Sequence, residues 1–282
     1  YFKLPVYTAL GFQDSTGTLV NKDLKYIQSI HYTVGTQFVP RNDLRFTLEG
    51  FYKDYGNYPV SMSNGISYAN IGTDYSAVGN DHYASIGKGR VYGVELYAQQ
   101  NFVKNLFYLF SATFYKSEFS GANGVYRPST WDYGYMVATT FGYKFTHHWD
   151  LGLKYRLAGG QPYTPFDMAA STASYMTTGT GVYDYSQLNS KRLSMFQQLD
   201  LRVDKKFYFK KTSLSVFLDF QNILMQKTPN QPRFTFMRND DNTGFATTDG
   251  KPMAMDGSNG IPLILSQRSA NVVPSIGFVF EF

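Results

Sequence analysis

Cysteine is absent from all 282 residues, so neither a disulfide framework nor a thiolate metal site can be built. Charge is sparse: 17% of the residues are Asp, Glu, Lys or Arg, and the net charge of +5 comes from cations scattered along the chain. A nucleic-acid surface needs clustered cations, so no nucleic-acid partner is expected. Long hydrophobic runs are missing as well. The most apolar stretch, Leu106 to Phe110, falls far short of the roughly 20 residues that a membrane-spanning helix requires. No secretory-signal pattern opens the sequence at Tyr1-Phe2-Lys3-Leu4-Pro5. Only two tryptophans occur, yet 24 Tyr and 24 Phe raise the aromatic share to 18%. Mean hydropathy is −0.31, a value typical of water-soluble chains. That average misleads for a barrel, where only alternate residues of each strand face lipid.

Periodicity carries the fold. Between 212 and 224, Leu214, Val216, Leu218 and Phe220 share one face, and Ser213, Ser215, Asp219 and Gln221 share the other. Phe217 is the one apolar intruder on the polar side. Leu199, Leu201 and Val203 alternate with Gln198, Asp200, Arg202 and Asp204. Trp149, Leu151, Leu153, Tyr155 and Leu157 alternate with Asp150, Gly152, Lys154 and Arg156. A period of two sorts side chains to the faces of a sheet, whereas a helix would smear both sets around its cylinder. Six further strands are expected at 25–37, 43–55, 90–102, 105–116, 131–145 and 273–282. Most of these runs exceed the globular norm and suit tilted membrane strands of about 9–11 residues. No amphipathic helix is expected anywhere.

The connections add an independent signal. Short turns are expected at 39–42, 103–104, 146–148 and 210–211, and long polar loops at 56–88, 117–130, 159–191 and 226–271. Short and long alternate strictly, as in outer-membrane barrels with tight periplasmic turns and long extracellular loops. A soluble sandwich or lipocalin-like barrel has no reason to gather its long loops at one end. Nine up-and-down strands put the C-terminus on the periplasmic side and the start outside. Bacterial single-chain barrels close with an even strand number, so Tyr1-Phe2-Lys3 is expected to be the outer end of a preceding strand. The expected fold class is therefore all-β: residues 1–282 as the C-terminal strands of a transmembrane antiparallel up-and-down β-barrel in the bacterial outer membrane, in contact with its lipid.

The chain ends Ser275-Ile276-Gly277-Phe278-Val279-Phe280-Glu281-Phe282, which resembles the C-terminal signal of bacterial outer-membrane proteins. On that resemblance Ser275, Gly277, Phe280 and Phe282 form an assembly signal read by the barrel-assembly machinery. Internal phrases sharpen the likeness: 46–55 (FTLEGFYKDY), 89–96 (GRVYGVEL), 127–132 (RPSTWD), 160–165 (GQPYTP), 199–207 (LDLRVDKKF) and 219–222 (DFQN). As a set they resemble TonB-dependent outer-membrane receptors of the Bacteroidetes type. The resemblance implies a 22-stranded barrel with a plugged lumen. It further implies energy coupling through TonB and import of a scarce or large nutrient: a siderophore, cobalamin, a glycan or a peptide. The plug and the TonB-contacting N-terminal region would lie outside these residues, and a SusD-like surface lipoprotein is a further implied partner. Two other classes stay open, a passive porin-like or hydrophobic-substrate channel and an adhesion or structural barrel.

Catalytic chemistry is thin. Nothing gathers a Ser, a His and a carboxylate at one place, so no enzyme and no cofactor are expected. His147 and His148 fall in an expected turn, where a solvated role outweighs a metal site. His31 falls on the polar face. Asn239, Asp241, Thr243 and Gly244 resemble the start of a calcium loop, but Gly250 stands where that loop needs Glu. Gly159-Gly160 reads as a bend, since no helix follows to hold a phosphate. The polar faces carry Glu49, Lys53, Glu95, Lys154, Arg156, Asp200, Arg202, Asp204 and Asp219. Most of these should pair across strands, with Arg156, Asp200 and Arg202 facing a plug. Ligand contacts, if any, are expected in 159–191 through Tyr163, Tyr175, Tyr183 and Tyr185.

Overall fold

In a computed structural model, which describes residues 1–71, 80–266 and 268–282, the alternating segments form one antiparallel sheet. Its long strands are β1 (Ile27–Arg41), β2 (Leu44–Ser61), β3 (Tyr83–Val103), β4 (Leu106–Ser120) and β5 (Tyr135–Lys144). They continue with β6 (Trp149–Ala158), β7 (Phe196–Tyr208), β8 (Ser213–Gln221) and β9 (Val273–Glu281). Each pairs with its sequence neighbour, and Phe2–Lys3 pairs antiparallel with the start of β1. All nine expected strands are present. Among the described residues, the sheet does not close on itself and no globular plug lies against it. No helix among the described residues is long and apolar enough to cross a membrane.

Strand alternation aligns across the sheet. Leu48, Leu96, Ala112, Val137 and Leu157 stand in register on one face. Tyr32, Tyr52 and Tyr92 form a row nearer the loops, with ring centroids 6.4 and 6.2 Å apart. Such an aromatic row marks the membrane interface. Apart from the small Ala112, these apolar side chains are exposed or half-exposed, and the same face carries Val34 at 78% and Phe278 at 74%. Lipid is their partner. The buried apolar residues instead lie mainly outside the membrane wall, at Val60, Ala69, Phe234 and Phe236 among others.

The short turns hold where alternation ends. Lys104 and Asn105 both take positive φ, +47° and +71°, which matches the twist of the strands that they join. Pro40 is accommodated because the β1–β2 register shifts between Phe38 and Arg41. The long connections differ from expectation at their edges. β2 and β3 stay paired out to Ser61 and Tyr83, so the loop expected at 56–88 is only 62–82, of which 72–79 lies outside the described residues. A bulge at Gly56-Asn57, with Asn57 at φ +57°, lets the ladder resume beyond Tyr55. β4 likewise runs on to Ser120. β5 starts at Tyr135 rather than 131, because Gly134 at φ +77° breaks extended backbone there.

The largest correction is a helix, Met168–Thr178, inside the loop expected at 159–191. Asp167 caps its N-terminus by accepting the Ala170 N–H at 2.9 Å, and Gly179 ends it at φ +68°. The helix escaped notice because small and polar residues fill it, leaving little apolar periodicity to read.

Phe217 finds its reason in Gly277. The two are register partners on the inward face, and a Cβ at Gly277 would sit 2.3 Å from the Phe217 ring. The ring thus covers the glycine of the neighbouring strand. Gly277→Val is expected to lower the stability of the detergent-extracted protein by about 1–3 kcal/mol. Adding Phe217→Ala should recover part of that loss, read as the temperature at which the heat-modifiable band unfolds on a gel.

Candidate functional site

The inward face of the sheet is a polar wall. Glu49 and Glu95 stand directly opposite each other on β2 and β3, and with Arg45, Thr47 and Tyr97 they line a shallow cavity of about 310 Å³. Arg45 is engaged elsewhere: it donates to Gln99 Oε1 at 2.9 Å and lies over the Tyr97 ring at 5.1 Å. Among the described residues neither glutamate has an ion-pair partner. Like charges directly opposite repel, so the pair is a concentrated anionic spot on the wall.

Farther along the wall the charges neutralise one another. Arg156 on β6 reaches Asp200 on β7 at 3.2 Å, and Asp200 also accepts from Gln198 Nε2 at 2.7 Å and from Asn222 N at 3.0 Å. Arg202 clasps Asp204 through Nε at 2.9 Å and Nη2 at 2.8 Å, with its guanidinium 3.9 Å above the Phe217 ring. The three residues expected to face a plug are therefore on the wall and already paired. Arg156 keeps one buried N–H, at Nε, without a partner.

Three ties draw the long loops into a single structure. Asp132 is buried, accepts the Ser117 N–H at 2.9 Å and pairs with Arg192 Nη2 at 2.5 Å; Arg192 also donates to Gly160 O. Asn189 donates to Asn70 O at 2.9 Å and to Pro128 O at 2.7 Å, while Asn70 donates back to Pro128 O. One asparagine thus joins 62–71, 121–134 and 159–195. The third tie is aromatic. Tyr175, on the helix, packs against Phe234, Phe236 and Phe245 at 5.4–6.1 Å and donates to Thr235 Oγ1 at 3.0 Å. Of the tyrosines singled out from the sequence, Tyr175 sits in this loop core. Tyr163 lies in a two-residue strand pairing with Lys191–Arg192. Tyr183 stacks on Phe166 at 4.9 Å, and the exposed Tyr185 follows at 6.3 Å. Asn70, Asp132, Asn189 and Arg192 escaped sequence reading, because nothing local marks a polar residue as a bridge to a distant loop.

The remaining sequence candidates have local roles. His147 and His148 take positive φ in a tight 3-10 turn, and the His148 ring packs on Tyr208 at 4.9 Å. His31 lies 2.6 Å from Ser29 Oγ. Asn239 accepts the Gly244 N–H; the hydroxyl and N–H of Thr243 hold the Asp241 carboxyl below its usual range. No group of three metal-ligating side chains gathers among the described residues.

Residues 1–223 match the family model described as TonB dependent receptor-like, beta-barrel. The chain belongs to the TonB-dependent receptor family. Solved receptors agree in fold. FyuA, the ferric yersiniabactin uptake receptor from Yersinia pestis, is 14% identical at a TM-score of 0.52, over 92% of this chain and 31% of FyuA. Fiu, the ferric-catecholate import receptor from E. coli K12, is 14% identical at 0.53, over 96% and 30%. FpvA, the pyoverdine receptor from Pseudomonas aeruginosa PAO1, is 14% identical at 0.53, over 100% and 32%. The chain spans about a third of the length of these receptors. No curated protein matches the chain by sequence. As a family member it is an outer-membrane β-barrel protein, and the inward polar wall and outward apolar face are those of a receptor barrel. The receptor's loop architecture is tested at Arg192. Its removal leaves the buried Asp132 carboxylate without a cation, a change costing about 3–5 kcal/mol where the pair is fully buried. Arg192 is half-exposed, so the effect should lie at the low end. Arg192→Ala is expected to speed protease cleavage within 121–134 on intact cells by on the order of tenfold or more.

Proposed function

We propose that this chain supplies wall, lumen surface and outer loops to a receptor that imports a scarce or large nutrient across the outer membrane, driven through TonB. The observation that carries the reading is the family match over 1–223, on a sheet whose inward face is charged and whose long loops gather at one end. The nutrient is an iron chelate, cobalamin, a glycan or a peptide, and its contacts lie in the outer loops, with Tyr163, Tyr183 and Tyr185 as aromatic surfaces. A plug meets the wall at the unpaired Glu49–Glu95 spot and beside Arg156, Asp200 and Arg202. A SusD-like lipoprotein over the loops is a further partner in the Bacteroidetes-type reading. The 282 residues form one unit of the barrel, its C-terminal strands.

Energy coupling separates this reading from a passive channel. Cells carrying the receptor are given radiolabelled cobalamin, ferric siderophore, oligosaccharide and peptide in parallel. Accumulation of one of them should fall to background when TonB is deleted. Equal uptake with and without TonB would make the protein a passive channel, and no uptake of any probe would favour an adhesion barrel.

The terminal strand is proposed to carry the assembly signal. Phe278 and Phe280 stand exposed on the outward face and Phe282 is exposed just past the strand, while Ser275 and Gly277 stand on the other side, opposite Asp219 and Phe217. Deleting Phe282 is expected to lower the amount of protein in purified outer membranes several-fold, with little change in the Tm of the protein that does arrive. An unchanged amount would remove the signal from this residue.

A further inference from the structure

One cation interrupts the outward apolar face near the periplasmic turns. Across β5–β9 the register sets Tyr143, Leu151, Val203, Leu218 and Ile276 in one outward row. The next row toward the turns is Phe145, Trp149, Lys205, Val216 and Phe278, followed by Phe207, Leu214 and Phe280. Lys205 is the one charged residue in these rows. Its ammonium lies 4.9 Å from the Trp149 ring centroid and 5.6 Å from that of Phe207, and it donates to His147 O.

A groove of about 500 Å³ opens beside it, lined by Phe145, Trp149, Leu151 and Val203, with Thr146 and His147 at the turn end. The side-chain carboxylates nearest the groove belong to the other face. Asp204 is held by Arg202, and Glu281 accepts from Ser213 Oγ at 2.6 Å. Asp150 borders the groove but stands in the inward row, opposite Lys144 and Asp204. An apolar trough, open to lipid and headed by a cation with no outward carboxylate beside it, is complementary to one kind of neighbour. The trough alone would take any acyl chain; the ammonium at its head adds a preference for headgroup charge.

We propose that this groove binds an anionic glycerophospholipid of the periplasmic leaflet. One acyl chain lies along Phe145, Trp149, Leu151 and Val203, and the phosphodiester faces the Lys205 ammonium. A zwitterionic lipid brings its own ammonium to the same place and binds more weakly. The inference needs only the membrane face and is independent of what the receptor imports.

The test is native mass spectrometry of the full-length receptor, purified from outer membranes, delipidated in detergent and titrated with phosphatidylglycerol or phosphatidylethanolamine. Wild-type protein should favour phosphatidylglycerol by about fivefold, the effect of one basic residue near an anionic headgroup. Lys205→Gln should abolish the preference while still binding phosphatidylethanolamine. Lys206→Gln, on the inward face opposite Ser215, should retain it. Equal binding of the two lipids by wild-type protein would overturn the proposal without any variant. So would a preference that survives in Lys205→Gln.

Discussion

The structure depends on one constraint: inside hydrocarbon, every backbone N–H and C=O must find a partner within the protein, because no water is there to supply one. The antiparallel ladder running from β1 to β9 meets that demand strand by strand. Within it, each side chain is committed by parity to lipid or to lumen. A slip of one residue would place Glu49, Glu95 and Asp200 in the bilayer and Leu48, Leu96 and Leu199 in the lumen. An Arg or Lys on the lipid face costs about 2–4 kcal/mol at the midplane and an acidic residue less, so several such errors together exceed what folding leaves to spare.

The same constraint inverts the usual placement of a core. A single sheet has no second layer to bury its apolar face, so lipid covers that face and the packed interior moves to the loops. There Phe234, Phe236 and Tyr175 do what strand leucines do in a soluble domain, while the ladder of β2 and β3 rises beyond the Tyr32–Tyr52–Tyr92 row, where Tyr58 packs on Phe119 and Tyr83 on Tyr68. Polar bridges finish the work. Asn189 and the Asp132–Arg192 pair bind segments far apart in the chain, making the loop end a shaped surface.

The membrane strands were legible because parity is a local property: Leu214 to Phe220, or Trp149 to Leu157, carry their face assignments within nine residues. Their extension beyond the membrane was not. Past Gly56 the alternation is broken by a bulge, and a reader counting alternate residues stops where the ladder does not. The helix Met168–Thr178 left an end-cap trace in Asp167 and Gly179, but its interior gave no apolar stripe to support it. Phe217 read as an exception to the pattern, and only Gly277, across a long loop on the neighbouring strand, explains why a ring belongs on the polar side.

By itself, then, the sequence determined the fold class, the two faces of the wall, the end that bears the loops and the family resemblance, all of them repeating or contiguous patterns. Tertiary structure alone decided which charges neutralise each other, as Arg156 with Asp200, and which find no ion-pair partner among the described residues, as Glu49 beside Glu95. It also decided that Tyr175 lies in a loop core, and that Lys205 heads an apolar groove. These outcomes depend on distances between residues tens of positions apart. Register sets such distances, and no local stretch of sequence contains them.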